Sequence, residues 1–464
     1  MGARILGIEL RRSVAMPAAL VIAAVGVFVL FASNPPYRSW MELVVVQRDI
    51  MQLTWPLALA AGAWQGIRER RSRVEELIAT TARPRPQRVL PVATAMAIAA
   101  VVAYLVMLAG GTGHLRHPDG YFPAGAVPLI ALGALALVAA AWLGLAIGAL
   151  LPSPLTAPML VVIAFLGLAV VPPMLRDQDR GEPGAVLLLP FLQGPRDGGY
   201  ELQVLSARAN LSQALWLVAV AATGLALLAA ARTATRVAAL LPVLLGAAIA
   251  VPAMPRQLAA AWVADPRATE VVCTRDEPQV CIARMHSYAL DELSGPARQA
   301  LSVLAAKLPP APTRVMLRTF GDGRDDGRPP ADTLLAFVSP DDDVLARTPD
   351  DLVEIMLDGA GVPPCPNLPG ASPGKVISGG SRPDAEARYL AARRAAGAWL
   401  LDRDPEPARA GEELDVTLAR QALDALHALP ADRQRARVAA LRDAERTCAP
   451  GDRLDLLTGT SGTR

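Results

Sequence analysis

Histidine and the signature motifs of several enzyme classes are scarce or missing in this chain. The sequence has no HExxH motif, which is the common signature of zinc hydrolases. No CxxC pair occurs either, which argues against a cysteine-based zinc site. The 464 residues include only four histidines: His114, His117, His286 and His427. We therefore expect neither a metal site nor a catalytic residue set.

A phosphate loop for ATP is also missing. The nearest match is GASPGK at 370–375, which has three residues between its glycines where the motif needs four. Val376 follows Lys375, where the motif needs Ser or Thr. We expect this chain to bind no cofactor of its own.

Charged residues and histidine are absent from seven long apolar stretches. We predict these as membrane spans, at 14–32, 50–67, 89–110, 124–151, 155–174, 211–231 and 237–254. Residues 33–49, which include Arg48 and Asp49, are predicted as a loop. Ion-coupled carriers usually hold their ion with ionisable groups inside the membrane, so the pattern argues against a carrier driven by an ion gradient.

The apolar residues are abundant and clustered. The whole chain is 53% hydrophobic, with a mean hydropathy of +0.33, which is typical of a membrane protein. Near Pro255 the composition changes to one rich in Arg, Asp, Glu and Pro. We predict an α-helical polytopic membrane domain of about seven spans over 1–255, and a soluble α+β domain over 256–464.

Arginine is distributed unevenly between the predicted loops. With the N-terminus inside, the inner segments 1–13, 68–88, 152–154 and 232–236 contain 12 arginines, and the longer outer loops contain seven. Cytoplasmic loops carry the excess of positive charge. The bias predicts a cytoplasmic N-terminus and, after seven spans, an extracytoplasmic C-terminal domain; a miscounted span would reverse that side.

All four cysteines, Cys273, Cys281, Cys365 and Cys448, lie in the predicted C-terminal domain. An even number there favours disulfides in an oxidising compartment, although four reduced core thiols are the alternative. We favour Cys273–Cys281 with Cys365–Cys448, because TEVVCT and QVCIAR flank the turn-like RDEP as a hairpin would. Helical patterns over roughly 287–306, 350–358, 384–402, 412–428 and 431–447, with strands at TRVMLRTF and DTLLAFVSP, predict α+β rather than regular βαβ units.

The segment 66–91 between the second and third spans carries seven arginines in 21 residues. Apolar side chains recur on one helical face, and Pro84 and Pro86 end the helix. This segment is either an anchor that meets anionic lipid or a docking face for a cytoplasmic partner. Its polar residues are Arg68, Arg70, Arg71, Arg73, Glu75 and Glu76.

Two stretches resemble the permeases of the ABC type-2 exporter family of high-GC bacteria. They are IELRRSVAMPAALV at 8–21 and GAWQGIRERRSRVEELIATTARPRPQRVL at 62–90. In that family an arginine-rich segment with a Glu-Leu-Leu-like triplet joins spans two and three, and Glu75-Glu76-Leu77-Ile78 stands there in this sequence. The stretch VVCTRDEPQVCIARMHSYALDEL also resembles a tail domain appended to some of these permeases. Family members usually have six spans, so a seventh span and a large external domain depart from the pattern.

The resemblance implies an exporter subunit in the bacterial plasma membrane. It implies ATP hydrolysis by a separate ABC ATPase subunit, contact with a second permease copy or paralogue and with membrane lipids, and no nucleic-acid partner. The segment with Arg68 and Glu75 would then couple the ATPase to the spans. The alternative function is a membrane-anchored extracytoplasmic binding or sensing protein whose helices do not transport.

Overall fold

The computed structural model describes residues 7, 9–10, 13–32, 36–68, 85–175, 183–192, 202–318, 330–337, 347–365, 384–405 and 413–459. The chain divides into two compact units, residues 1–265 and 266–464. Residues 256–265, which the composition change assigned to the C-terminal domain, belong to the first unit.

The first unit is predominantly α-helical. Its helices are α1 Ala15–Ala32, α2 Trp40–Asp49, α3 Met51–Gly66, α4 Arg85–Thr112, α5 Ala126–Leu150, α6 Thr156–Leu175, α7 Ala207–Ala229, α8 Thr233–Ala238 and α9 Leu241–Ala253. Two short strands, β1 Gln203–Leu205 and β2 Trp262–Ala264, pair antiparallel.

Six segments in the described part of the chain are long and apolar enough to cross a membrane. They are Ala15–Ala32, Gln87–Thr112, Ala126–Leu150, Thr156–Met174, Ala207–Ala229 and Thr233–Ala253. Each overlaps one of the predicted spans. Helix α3 occupies the remaining one, but its 16 residues make it about 24 Å long, less than the hydrocarbon thickness of a bilayer. The architecture is that of a helical membrane protein joined to a second unit.

The prediction of a loop over 33–49 is wrong for residues 40–49, which form α2. Ser39 begins this helix by accepting a hydrogen bond from the Glu42 amide, and the buried side chains of Met41, Val44 and Val45 give it an apolar face. At Ile50 the backbone keeps helical torsion angles (φ −59°, ψ −15°), so α2 runs on into α3 across a slight break.

Helices α1 and α4 pack side by side and run in the same direction. Gly26 lies against Met107, and four residues further along α1 the side chain of Leu30 approaches Gly111. Residue numbers therefore rise together along both helices. The chain returns from the end of α1 to the start of α4 through α2 and α3.

One end of the bundle is covered by a compact layer that we call the cap. The backbones of Tyr37 and Leu115 form a parallel bridge there, and the short 3-10 helix Gly184–Leu188 is tied to α7, since the Trp216 indole donates to the Leu188 carbonyl at 2.8 Å. The apolar stretch 185–192, too short to span, thus lies against the bundle. The cap has its own buried apolar cluster: Met41, Val44, Val45, Ala126, Leu129, Leu187, Leu192, Leu205, Ala209, Met254, Leu258, Ala261 and Trp262.

The second unit contains a four-stranded sheet of order β3-β4-β5-β6. The strands are β3 Val271–Cys273, β4 Val280–Ala283, β5 Arg314–Arg318 and β6 Thr333–Phe337. β3 and β4 are antiparallel, whereas β4–β5 and β5–β6 are parallel. The predicted hairpin and both predicted strands are present. The sheet is nevertheless mixed, because the helix Leu290–Lys307 connects β4 to β5 and the two strands run parallel. The sequence analysis did not predict this parallel pair, because it read the strands and the helices as separate blocks.

The remaining helices of this unit lie close to the predicted ranges. They are α10 Leu290–Lys307, α11 Pro349–Leu357, α12 Asp384–Leu401, α13 Glu413–His427, α14 Ala431–Thr447 and α15 Arg453–Thr458. A continuous apolar core joins the sheet, through Val315 and Leu334, to Leu301 of α10, Ala395 of α12 and Leu441 of α14. This unit thus has the separate core that an independent domain needs.

Candidate functional site

The predicted coupling segment lies largely outside the described residues. Arg70, Arg71, Arg73, Glu75 and Glu76 fall there, and Arg68 is the member that the structure describes. Nη1 of Arg68 lies 3.4 Å from Oε2 of Glu9, and both side chains are partly exposed. Nearby, the Val14 amide donates to Oε1 of Gln65 at 3.1 Å. The N-terminal segment and the start of the arginine-rich segment therefore meet at the end of the bundle opposite the cap.

Helix α3, which leads to Arg68, is held against α5 by two interleaved pairs of glycines. A β-carbon on Gly62 or Gly66 would collide with the carbonyl oxygens of Ala141 and Leu145 on α5. A β-carbon on Gly144 or Gly148 would collide with the carbonyl oxygens of Leu59 and Ala63 on α3. Small residues spaced four apart let helix backbones touch. The glycine pair on α3 was not predicted, although GAWQG at 62–66 has the same four-residue spacing as Gly144 and Gly148 on α5.

Arg48, at the end of α2, is completely buried in the first unit. Its side chain is 0% exposed, and its Nη1 donates to the Leu129 carbonyl at 3.3 Å. Among the described residues, Nε and Nη2 have no hydrogen-bond partner. Leu129 is the fourth residue of α5, so the guanidinium lies about one helical turn from the cap end of that helix. A buried charge of this kind is costly unless it is paired.

Two further polar side chains surround Arg48. Tyr104 of α4 is 0% exposed and is an electrostatic neighbour of Arg48. Its ring lies against Gly133, one turn beyond Leu129 on α5. Gln47 donates through Nε2 to the Tyr104 carbonyl at 2.9 Å. In the part of the chain that the structure describes, the Tyr104 hydroxyl and Oε1 of Gln47 have no hydrogen-bond partner. Unpaired donors of Arg48 and Tyr104 thus lie together between α2, α4 and α5.

Sequence reasoning missed this cluster because it assigned Arg48 to a loop. A signal was available: Met41, Val44, Val45 and Arg48 follow one another at helical spacings of 3, 1 and 3 residues. Arg48 therefore occupies the next position of the apolar face of α2, and the same packing that buries the apolar side chains buries its guanidinium. The predicted spans contain no charged residue, but the interior of the helix bundle contains the guanidinium of Arg48.

The cysteines in the second unit form two disulfides, Cys273–Cys281 and Cys365–Cys448. These are the pairs that the sequence favours. Cys273 and Cys281 are directly opposite each other in the β3–β4 pair. The second disulfide joins the end of α14 to residues 83 positions earlier. Together they close two loops of the second unit, as is typical of proteins in an oxidising environment.

The second unit also has a cavity of about 670 Å³. Its walls are the loop 308–311, Ala331 and Asp332, and one face of α14 with Ala436, Ala439 and Arg442. Asp332 is paired with Arg314 at 2.6 Å. Nε of Arg442 has no hydrogen-bond partner within the described ranges. Burial and, to a lesser degree, repulsion by Arg446 lower the pKa of this guanidinium. The cavity therefore combines an alanine wall with charged groups of both signs, since Asp443 and Arg446 also line it.

Comparison with known proteins gives no assignment, because no family model, curated protein or solved structure matches this chain. In the described residues, no group of three or more His, Cys, Asp or Glu side chains is arranged to hold a metal ion.

Proposed function

We propose that this protein is the membrane-spanning permease subunit of an ABC-type exporter that is powered by a separate ATPase subunit. In this proposal the chain crosses the bacterial plasma membrane seven times. The N-terminus and the arginine-rich segment are cytoplasmic, and the second unit is extracytoplasmic. ATP acts through the partner, since the sequence has no phosphate loop.

The observation that carries the proposal is the close packing, against α5, of the helix that leads to Arg68, where the arginine-rich segment begins. Helix α3 contacts α5 backbone to backbone and leads within two residues to Arg68. A cytoplasmic partner that pushes on this segment would therefore move α3 and α5 together, because neither helix can slide freely past the other's carbonyl groups. Such a connection is what a transporter without its own motor needs.

The parallel packing of α1 and α4 supports the seventh crossing. Two parallel neighbouring helices require the chain between them to cross back, and residues 40–66 supply that crossing. Although α3 alone is short, α2 and α3 together extend about 40 Å, enough for a bilayer. An odd number of crossings puts the two disulfides on the side opposite the N-terminus, in agreement with their need for an oxidising compartment.

Two spans are suited to contact lipid and a second permease copy. In Thr156–Met174 and in Thr233–Ala253, only 17% of an 18-residue apolar window is buried. Exposed apolar side chains on α6 include Met159, Ile163 and Leu166. Surfaces of this composition belong in hydrocarbon or in a helix–helix interface.

Copurification from native membranes in mild detergent tests the proposal. We expect the full chain to retain a phosphate-loop ATPase, and we expect Glu75→Ala combined with Glu76→Ala to lose it while membrane insertion is unchanged. Asp119→Ala, an exposed carboxylate at the cap end, is the control and is expected to retain the ATPase. An unaltered chain that purifies without any ATPase would overturn the exporter function. Retention by the double variant would leave the segment only its anchoring role.

A second candidate function is extracytoplasmic binding or sensing, which the cavity beside Arg442 favours. In this alternative the helices serve as an anchor. A small organic anion would occupy the cavity, with its charge toward Arg442 and Arg446. Calorimetric titration of the full chain with a mixture of dicarboxylates distinguishes the two functions: binding that is lost in Arg442→Met, in a chain without an associated ATPase, would favour sensing.

A further inference from the structure

We propose that Asp49, at the end of α2, binds the ammonium group of a long-chain amine at the cap side of the membrane, and that the chain of the amine lies along α3. The inference rests on the membrane crossing by residues 40–66 that the proposed function includes. It does not depend on the ATPase, because binding of such an amine needs no transport.

The depth of Asp49 in the bilayer follows from the contact that its neighbour makes with α5. Arg48 donates to the carbonyl of Leu129, the fourth residue of α5. With its 25 residues, α5 is about 37 Å long, which exceeds a hydrocarbon thickness of about 30 Å by roughly two residues at each end. Leu129 therefore lies where the hydrocarbon begins on the cap side. Asp49, the residue after Arg48, lies at about the same depth.

The carboxylate of Asp49 is exposed on the outside of the bundle. Within the described part of the chain it accepts no hydrogen bond and forms no ion pair. Arg48 does not neutralise it, since the electrostatic neighbour of that guanidinium is Tyr104. Ionisable side chains at membrane depth are usually paired and mark binding sites or ion pathways. A positively charged group of another molecule would complete this pair.

An amine suits this carboxylate better than a metal ion does. Calcium and magnesium take about six or more oxygen ligands, whereas the described residues contain no group of three or more His, Cys, Asp or Glu that could hold a metal. An ammonium group needs a single carboxylate, to which its N–H donates a charge-assisted hydrogen bond. The low dielectric at the edge of the hydrocarbon strengthens such a bond.

The surface of α3 below Asp49 is suited to a hydrocarbon chain. Leu53 and Leu57 follow Asp49 at intervals of four residues, so the three side chains lie on one helical face. The backbone at Ile50 keeps helical torsion angles, which continues this face from α2 into α3. Leu53 is 36% exposed, and Trp64, further along α3, is 40% exposed. The face therefore offers apolar contacts to a molecule outside the bundle.

The direction of α3 gives that molecule its orientation. Arg48 lies beside Leu129, and Gly62 lies against Ala141, so residue numbers rise together along α3 and α5 from the cap to the opposite end. The apolar face thus extends from Asp49 toward the bilayer interior. An amine with its ammonium group at Asp49 would have its chain in the hydrocarbon, which is the arrangement of a membrane amphiphile.

The test uses the full chain in nanodiscs of phosphatidylcholine, with a hexadecylamine that carries a photoreactive diazirine in its chain. After illumination, the labelled peptides are mapped by mass spectrometry. We expect labelling within residues 53–64, and competition by hexadecylamine but not by hexadecanol, which has the same chain without the charge. Asp49→Asn should lower the affinity about tenfold or more. Asp119→Asn, which removes another exposed carboxylate at the cap end, is the matched control and should leave labelling unchanged.

A second variant protects the test against misfolding. Asp49→Glu keeps the charge and is expected to retain labelling, and both variants should melt at the temperature of the unaltered chain because the carboxylate is exposed. Equal labelling of Asp49→Asn and the unaltered chain would overturn the proposal, as would equal competition by hexadecanol. Conversion of a dimer to a monomer by Asp49→Asn, seen by native mass spectrometry, would also overturn it, since a second copy would then be the partner. The ATPase enters none of these measurements, so the exporter function and this inference can fail separately.

Discussion

Glu445 and Arg393 form an ion pair that is closed to solvent. Oε2 of Glu445 lies 2.7 Å from Nη1 of Arg393, and the side chains are 0% and 3% exposed. Oε1 of Glu445 accepts from Nε of Arg453 at 2.7 Å, and the Tyr389 hydroxyl donates to Oε2 at 2.8 Å. Arg393 also pairs with Asp358. This network fastens α14 to α12 beside the Cys365–Cys448 disulfide.

We expect Glu445→Gln to destabilise the second unit severely. The amide keeps the shape of the side chain but removes the carboxylate that pairs with the buried Arg453 guanidinium, and it leaves Arg393 paired only with the partly exposed Asp358. Breaking a buried ion pair in this way typically costs about 3–5 kcal/mol. Urea unfolding followed by tryptophan fluorescence measures the change. The control is Asp432→Asn, because the Asp432–Arg435 pair is exposed and should contribute less than about 1 kcal/mol. Similar losses in the two variants would contradict a special role of the buried network.

The Tyr389 phenol gives the second unit a stability limit at alkaline pH. Burial raises the pKa of Tyr389 from 10.0 to about 12, although Arg393 opposes the shift. Because the folded-state pKa is raised, the contribution is fully present below pH 10 and is lost as the pH rises to about 12. We expect the free energy of unfolding to fall by an amount on the order of 2 kcal/mol across that window. Tyr389→Phe should flatten this part of the pH profile; an unchanged slope would show that other groups cause it.

Close packing of α3 on α5 predicts a sharp contrast between two glycine substitutions. A β-carbon at position 144 would collide with the Leu59 carbonyl, whereas one at position 167 would have nothing within 4 Å. We expect Gly144→Ala to lower stability in detergent by about 1–3 kcal/mol. Gly167→Ala should be neutral or slightly stabilising, since alanine reduces the entropy of the unfolded chain. Thermal unfolding of both variants checks the prediction, and equal melting temperatures would argue against backbone contact.

The two disulfides are expected to differ in their contribution to stability. Cys365–Cys448 spans 83 residues and Cys273–Cys281 spans eight. Because loop-closure entropy grows with loop length, replacing the first pair by serine should cost about 2 kcal/mol more than replacing the second. Urea unfolding of the two double variants gives the difference directly, and a larger loss for the short loop would contradict the entropic explanation.

The side of the second unit can be measured by thiol labelling in intact cells. In Cys281→Ser, Cys273 becomes a free thiol at an exposed position, and the proposed orientation predicts labelling by a membrane-impermeant maleimide. Ser153→Cys, in the exposed turn between α5 and α6, should react only after permeabilisation when introduced into a chain without other free thiols. The opposite pattern would mean that the chain crosses the membrane an even number of times or enters it in reverse.

Much of the architecture was predictable because its signals are local. Long apolar runs indicate membrane-length helices, and α14 was predicted at the same residues, 431–447, that it occupies. The pairing of Cys273 with Cys281 followed from a hairpin that is nearly contiguous in sequence. In such elements, a residue's neighbours in the chain are also its neighbours in space.

Local sequence patterns thus identify the segments that are apolar enough for a membrane and the pairing of Cys273 with Cys281. The burial of Arg48, the contact of Gly62 with α5 and the parallel pairing of β4 with β5 are evident in the folded structure alone. Each of these depends on contacts between residues far apart in the chain. Arg48 lies 81 residues from the carbonyl that it contacts, and no local pattern determines which helix arrives at that distance. For this reason the cluster of buried donors around Arg48 follows from packing and not from a motif.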